Sequence, residues 1–301
     1  MEKNIIRVRS ITEGHRLANL PKPLHPLISV VDCEAMQGAP GLSVSMDLYS
    51  ISLKRECSKL QYGQQSYDFD EGVMGFMAPN QIITGQEHSP DHRPKGWIMF
   101  IHPDFLWNTP LAKKIKQYEF FSYTTNEALF LSDREETLIN GIVQNIQNEY
   151  NSNIDKFSQD IIVSHLETLL NYAERFYQRQ FITRKITNNK LLNRLEDLLT
   201  DYFHNDDLIS SGLPSVQYIA DHLHISPKYL GSMLKQLTGL TTQQHIHEKL
   251  IEKAKEKLST TELSVGEIAY QLGFEHPQSF SKLFKAKTEL SPLEFRQSFT
   301  L

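Results

Sequence analysis

Apolar positions recur along this chain with two different periods. Up to about residue 110 they alternate. Leu42-Ser43-Val44-Ser45-Met46 and Tyr49-Ser50-Ile51-Ser52-Leu53 place every second side chain on one face, the period of a strand. Val73-Met74-Gly75-Phe76-Met77 and Trp97-Ile98-Met99-Phe100-Ile101 read as buried strands. Gly63, Gly72, Ala78-Pro79-Asn80, Gly85, Pro90, Pro94 and Gly96 punctuate them. Many short strands at this spacing predict a small β-barrel or sandwich. After residue 132 the period becomes helical. Ser132 and Glu135 form a capping box, followed by Leu138, Ile142 and Ile146. Beyond a polar turn at 151–155, Ile162, Leu166, Leu169, Ala173 and Phe176 recur in steps of four, three, four and three, which predicts a helix–helix seam. Residues 182–190, with Thr, Asn and Lys, read as a linker.

The last third carries one pattern twice. The first copy runs Ser215-Val216-Gln217-Tyr218-Ile219-Ala220-Asp221-His222-Leu223-His224, and the second runs Ser264-Val265-Gly266-Glu267-Ile268-Ala269-Tyr270-Gln271-Leu272-Gly273. Each begins at a serine suited to cap exposed N–H groups. Each carries an apolar stripe with a small Ala, which lets a second helix pack closely. Each then reaches a residue tolerant of positive φ, His224 or Gly273. The next helices open at Ser226-Pro227 and His276-Pro277, where proline's missing N–H costs nothing. Their inward positions are Leu230, Met233, Leu234 and Leu237 in one, Phe280, Leu283 and Phe284 in the other. Thr238-Gly239-Leu240-Thr241 and Thr288-Glu289-Leu290-Ser291 close the copies. Two helix-turn-helix units, at about 215–238 and 264–288, are expected. The intervening helix, about Thr242 to Leu258, would be roughly 25 Å long. It can hold two recognition helices about one DNA turn apart, roughly 34 Å.

Residues 189–301 resemble the two-unit DNA-binding domain of AraC/XylS-type transcription regulators. The resemblance rests on Ile268-Ala269-Tyr270-Gln271-Leu272-Gly273-Phe274, Phe280-Ser281-Lys282-Leu283-Phe284-Lys285 and Leu290-Ser291-Pro292-Leu293-Glu294-Phe295-Arg296. Lys253 to Leu258 matches the family's central helix. Leu234, Gly231, Ser232 and Leu250 depart from its common pattern. The resemblance implies an α+β multidomain chain: an N-terminal cupin-like β-barrel with a helical hairpin, and a C-terminal all-α domain with two helix-turn-helix units. The expected boundaries are a sensing and dimerisation domain at 1–183 (strands to about 110, helices about 111–183), a linker at 184–189 and a DNA-binding domain at 190–301. The resemblance also implies a homodimer contact through the helical hairpin, which would make Ile162, Leu166, Leu169, Ala173 and Phe176 the dimer seam. Packing of that hairpin within the chain is the alternative.

With the inward positions removed, Lys228, Tyr229, Gly231, Ser232 and Lys235 in the first recognition helix are the candidates for DNA contact, with Gln236 beside them. Gln278, Ser279, Ser281, Lys282 and Lys285 are those of the second. Gln pairs with adenine, Ser bonds several base edges, and Lys reaches guanine or phosphate. Small and hydroxyl residues on both faces point to a share of readout by DNA shape and backbone positioning. Residues 189–301 hold 12 Lys and Arg against 14 Asp and Glu, a net of −2. The distribution matters more: 226–238 and 276–288 contain five lysines and no acids.

At 301 residues, 40% hydrophobic and 22% charged, the chain suits two ordinary soluble domains. No apolar run near 18 residues occurs, the N-terminus lacks a signal-peptide core, and Cys33 and Cys57 are the only cysteines, so a cytoplasmic protein with ordinary buried thiols is expected. His88, His92 and His102 lie near one another without a His-x-His pair, and no metal, cofactor or catalytic residue is expected. Tyr49, Phe76, Trp97, Met99 and Trp107 are candidates for either a ligand pocket or core. The expected function is a sequence-specific transcription regulator, an activator of promoter DNA meeting RNA polymerase and answering a small molecule. The alternatives are a metal-dependent cupin enzyme with a DNA-targeting domain, and a DNA-binding protein with no effector.

Overall fold

A computed structural model describes residues 5–36, 42–55, 72–84, 95–124, 127–152, 155–183, 185–204, 208 and 212–298. Cys57, His88 and His92, with Gly63, Gly85, Pro90 and Pro94, lie outside them. The chain divides into two compact units, residues 1–180 and 181–301.

In the first unit, β1 (Ile5–Val8), β3 (Ser43–Met46) and β6 (Ile82–Thr84) form a three-stranded sheet in the order β1-β3-β6. Strand β1 runs parallel to β3, and β6 antiparallel to it. A five-stranded antiparallel sheet has the order β2-β7-β4-β5-β8, from β2 (Ile28–Asp32), β4 (Tyr49–Arg55), β5 (Val73–Met77), β7 (Lys95–Ile101) and β8 (Leu129–Phe130). Register puts Ile51 opposite Met99 and Phe76, and Leu53 opposite Trp97 and Met74, so the alternating apolar residues meet on one face. Gly96 has φ 122°, and a Cβ there would lie 2.1 Å from the Leu53 carbonyl oxygen, so only glycine lets β7 approach β4 at this point.

All four strands expected from the sequence form. Neither sheet closes into a barrel among the described residues. Alternation states which face is buried; it carries no information on whether the end strands meet. Helix α1 (Ile11–Leu17) stands in the region expected to be all strand. Its buried His15 bridges the carbonyl of Pro21 (2.6 Å) and the hydroxyl of Ser29 (2.7 Å). Ile28 and Ser29 are buried, on opposite faces of β2, which obscured that strand's period.

A four-residue helix, α2 (Leu111–Lys114), precedes the helical hairpin of α3 (Asp133–Asn151) and α4 (Ser158–Thr183). The Ser132–Glu135 capping box starts α3 as expected. Helix α4 is fastened along its length. Gln159 donates to the Phe105 carbonyl (2.7 Å), Tyr118 to Asn171 (2.7 Å), Tyr177 to the Glu127 carbonyl (3.1 Å) and Arg179 to Glu135 (3.1 Å). Here the expected seam needs correction. Ile162, Leu166, Leu169, Ala173 and Phe176 are all buried within the single chain, Phe176 at 6% exposure. Val163, Leu170 and Tyr177, seven residues apart, are buried beside them. A stripe widened by this extra row is the pattern of a core-facing helix, whereas a coiled-coil seam is narrower. The aromatic stack of Phe120 on Tyr177 (5.6 Å) occupies part of that face.

The expected linker at 184–189 also differs. Helix α5 begins at Lys185 and runs to His204. Buried Asn188 donates to the Phe181 carbonyl at 2.6 Å, a short-range bond back to the last turn of α4. The rest of the second unit is α6 (Val216–Leu223), α7 (Pro227–Thr238), α8 (Thr242–Thr260), α9 (Val265–Gln271), α10 (Pro277–Thr288) and α11 (Pro292–Gln297). Among the described residues no helix is long and apolar enough to cross a membrane.

Candidate DNA interface

The two copies share the serine cap of their first helix and the hydrogen bonds of their turn. Ser215 Oγ accepts the Tyr218 N–H (3.0 Å) at the start of α6, and Ser264 Oγ accepts the Glu267 N–H (3.2 Å) at the start of α9. The Glu267 carboxylate returns a bond to the Ser264 N–H, and these contacts hold its pKa below the usual carboxylate value. At the far end of α6, Ile225 N–H donates to the Ala220 carbonyl (3.0 Å) and His224 N–H to Asp221 (3.1 Å). At the end of α9, Phe274 N–H donates to Ala269 (3.0 Å) and Gly273 N–H to Tyr270 (3.0 Å). Both are Schellman closures, which require a left-handed residue. His224 (φ 58°) and Gly273 (φ 80°) supply it, as the sequence predicts. Ala220 and Ala269 are fully buried.

Helices α7 and α10 follow. Leu230, Met233 and Leu234, and in α10 Phe280 and Phe284, are fully buried, so one face of each helix is spent on the core. Leu237 and Leu283 are half-buried at its margin. Each helix ends the same way. The Thr238 and Thr288 hydroxyls donate to the carbonyls of Leu234 and Phe284 (2.8 Å each) and accept the N–H of Leu240 (3.2 Å) and Leu290 (3.4 Å). Capping boxes then open α8 (Thr241, Gln244) and α11 (Ser291, Glu294).

On the outward faces, Lys228, Lys235 and Gln236 of α7 are exposed, with Gly231 and Ser232 partly so. In α10, Gln278, Ser279, Lys282 and Lys285 are exposed and Ser281 partly so. Tyr229 is a correction. It is only 8% exposed, and its ring packs edge-on against Phe181 at 5.1 Å. Periodicity within α7 left Tyr229 outside because the neighbour that covers it comes from a distant stretch of sequence. A Cβ at Gly231 would meet nothing within 4 Å, so this position opens directly outward. Lys235 Nζ donates to the Gly239 carbonyl (2.9 Å), where it also balances the end of the helix dipole.

Lys287 was missed. It is exposed in the last turn of α10 and, after burial, is the second cause of the lowered pKa of His247. The duplication itself hid it, because Lys287 occupies the place of inward-facing Leu237. The acids of α8 are partly matched by its own lysines, Lys249 with Glu252 (3.1 Å) and Lys253 with Glu256 (2.9 Å).

Four of the five candidate pocket residues share the buried face of the five-stranded sheet, and the fifth stands apart. Tyr49, Phe76, Trp97 and Met99 are buried, and the Trp97 indole donates to Asn140 (2.9 Å). Trp107 is 69% exposed. His102 follows β7, and its Nδ1 accepts the Asp104 N–H (3.2 Å). Cys33 is buried.

A family model described as a helix-turn-helix domain matches residues 219–298. An uncharacterized HTH-type transcriptional regulator, YfiF of Bacillus subtilis (strain 168), is 32% identical over 146 residues, 48% of this chain and 43% of the relative. The HTH-type transcriptional activator RhaS of Enterobacter sp. (strain 638) is 36% identical over 110 residues, 36% of this chain and 37% of the relative. The chain thus spans less than half the length of these curated relatives. Among solved structures, the C-terminal domain of AraT, a response regulator from Geobacillus stearothermophilus, is 30% identical with a TM-score of 0.32, covering 36% of this chain and 84% of that one. The Schellman turns and buried Ile-Ala stripes lie within the matched residues 219–298, so this segment is similar to the helix-turn-helix domain, and the chain is similar in sequence to HTH-type transcriptional regulators.

Proposed function

We propose that this chain is a sequence-specific DNA-binding transcription regulator whose second unit lays α7 and α10 into successive major grooves. The observation that carries this is the pair of identically closed helix-turn-helix units, each with one helix face buried and the other offering Lys, Gln or Ser. Lys228, Lys235, Lys282 and Lys285 contact phosphate or guanine. Gln278, Ser279, Ser281 and Ser232 read base edges, and Gly231 lets the α7 backbone approach closely. The RhaS relatives, named as activators, support activation, with RNA polymerase as the protein partner. The first unit is a cupin-like sensing domain for a small-molecule effector. The buried α4 stripe is not the surface of a homodimer.

Selection of bound genomic fragments followed by footprinting tests the proposal. The expected result is a protected site with two sequence elements about 10.5 base pairs apart. The double variant Gln278→Ala, Lys282→Ala should retain its helical spectrum and lose enrichment for that site. Equal binding by wild type and double variant at every salt concentration would sink the assignment.

A further inference from the structure

The first unit contains a concavity of about 440 Å³ that the DNA-binding role leaves unused. Its apolar floor is Leu27, Phe105 and Ile162, and its volume falls within the range of small-molecule sites. The walls are pinned in place. Leu24 N–H donates to the Tyr150 hydroxyl (2.9 Å), Gln159 to the Phe105 carbonyl (2.7 Å), and the His25 ring stands edge-on to Phe105 (5.4 Å). Trp107 also lines the space while remaining 69% exposed. An indole left that open, beside a concave site, offers a π-face to a ligand.

Charge selects the ligand. Asp104, Glu149 and Asp155 line the concavity, and no lysine or arginine is among its lining residues. Burial lowers the pKa of His25, so that ring adds little positive charge. Asp155 is partly committed to the start of α4, where its Oδ1 accepts the N–H groups of Phe157 (2.7 Å) and Ser158 (3.1 Å). Glu149 is half-buried and makes no ion pair among the described residues. From this combination we infer that the site takes a small organic cation with an apolar body, an amine whose ammonium meets Glu149 and Asp104 and lies against Trp107. This deepens the sensing role proposed above by assigning it a place and a ligand class.

Calorimetric titration of the full chain with phenethylammonium, phenylacetate and 2-phenylethanol tests it. The cation should saturate with a Kd of about 1 mM or tighter, with no saturation by the anion or the alcohol. Glu149→Gln and Trp107→Ala should each weaken the cation by about tenfold. Quenching of tryptophan emission by the cation should disappear in Trp107→Phe. No saturable heat with the cation, equal affinity for phenylacetate, or an unchanged Kd in both variants would overturn the site. Cation binding without specific DNA binding would refute the regulator proposal and leave this site; the reverse result would refute the site alone.

Discussion

The two helix-turn-helix copies reach one backbone through different side chains. His224 and Gly273 occupy the same left-handed corner, at φ 58° and 80°. Gly239 and Glu289 end the two recognition helices, at φ 77° and 66°. Ser226 caps α7, whereas His276 makes no side-chain cap for α10. What the copies share is a set of main-chain hydrogen bonds and a buried face. The requirement on sequence is therefore a tolerated φ, a small residue or an apolar volume at each place, and several residue types satisfy each one. The outward positions obey no such requirement. Lys228 and Gln278 are equivalent, as are Gly231 and Ser281, and Ser232 and Lys282, yet they offer DNA different chemistry. The fold is duplicated and the reading surface is not.

The largest test removes a shared volume. Phe280→Ala should cost about 3–5 kcal/mol in chemical denaturation and Leu230→Ala, its equivalent, about 2–5 kcal/mol, because both sites are fully buried. A change under about 1 kcal/mol in either would show that one copy is not closed as described.

Outward equivalents should diverge instead. Gln278→Ala should cost about 1–3 kcal/mol of affinity and relax preference at one base pair, while Lys228→Ala should weaken all sequences alike and lower the salt slope by about 1. Swapped behaviour in a binding-site selection would reverse the roles of the two helices.

The turn corners separate next. A Cβ at Gly273 would sit 2.9 Å from the Leu208 carbonyl oxygen at a left-handed φ, so Gly273→Ala should destabilise by about 1–3 kcal/mol. His224→Gly relieves the same strain and should leave the melting temperature unchanged or raised. At the helix ends, Glu289→Gly should stabilise by up to about 1 kcal/mol.

The smallest effect is pH. Glu267 and Glu294 both have lowered pKa values from hydrogen bonds to Ser264 and Ser291, whereas the first copy caps α8 with neutral Gln244. A depressed carboxylate contributes stability that is present above its unfolded pKa and is lost as pH falls through the folded one. The pH dependence of melting should therefore flatten in the Glu267→Gln, Glu294→Gln variant. An identical acid profile would show that the boxes contribute nothing.

By itself the sequence determined the second unit almost completely. Its caps, corners and stripes act within a few residues of one another, and local interactions of that range leave a visible period. It also placed four strands of the first unit. Tertiary structure alone decided what lies at long range: that Phe181 covers Tyr229, that α4 turns its stripe inward, and that Trp107 stands open beside a concavity. Periodicity reveals that a face is buried. Which partner buries it depends on chain-distant packing, and no spacing within one helix encodes that.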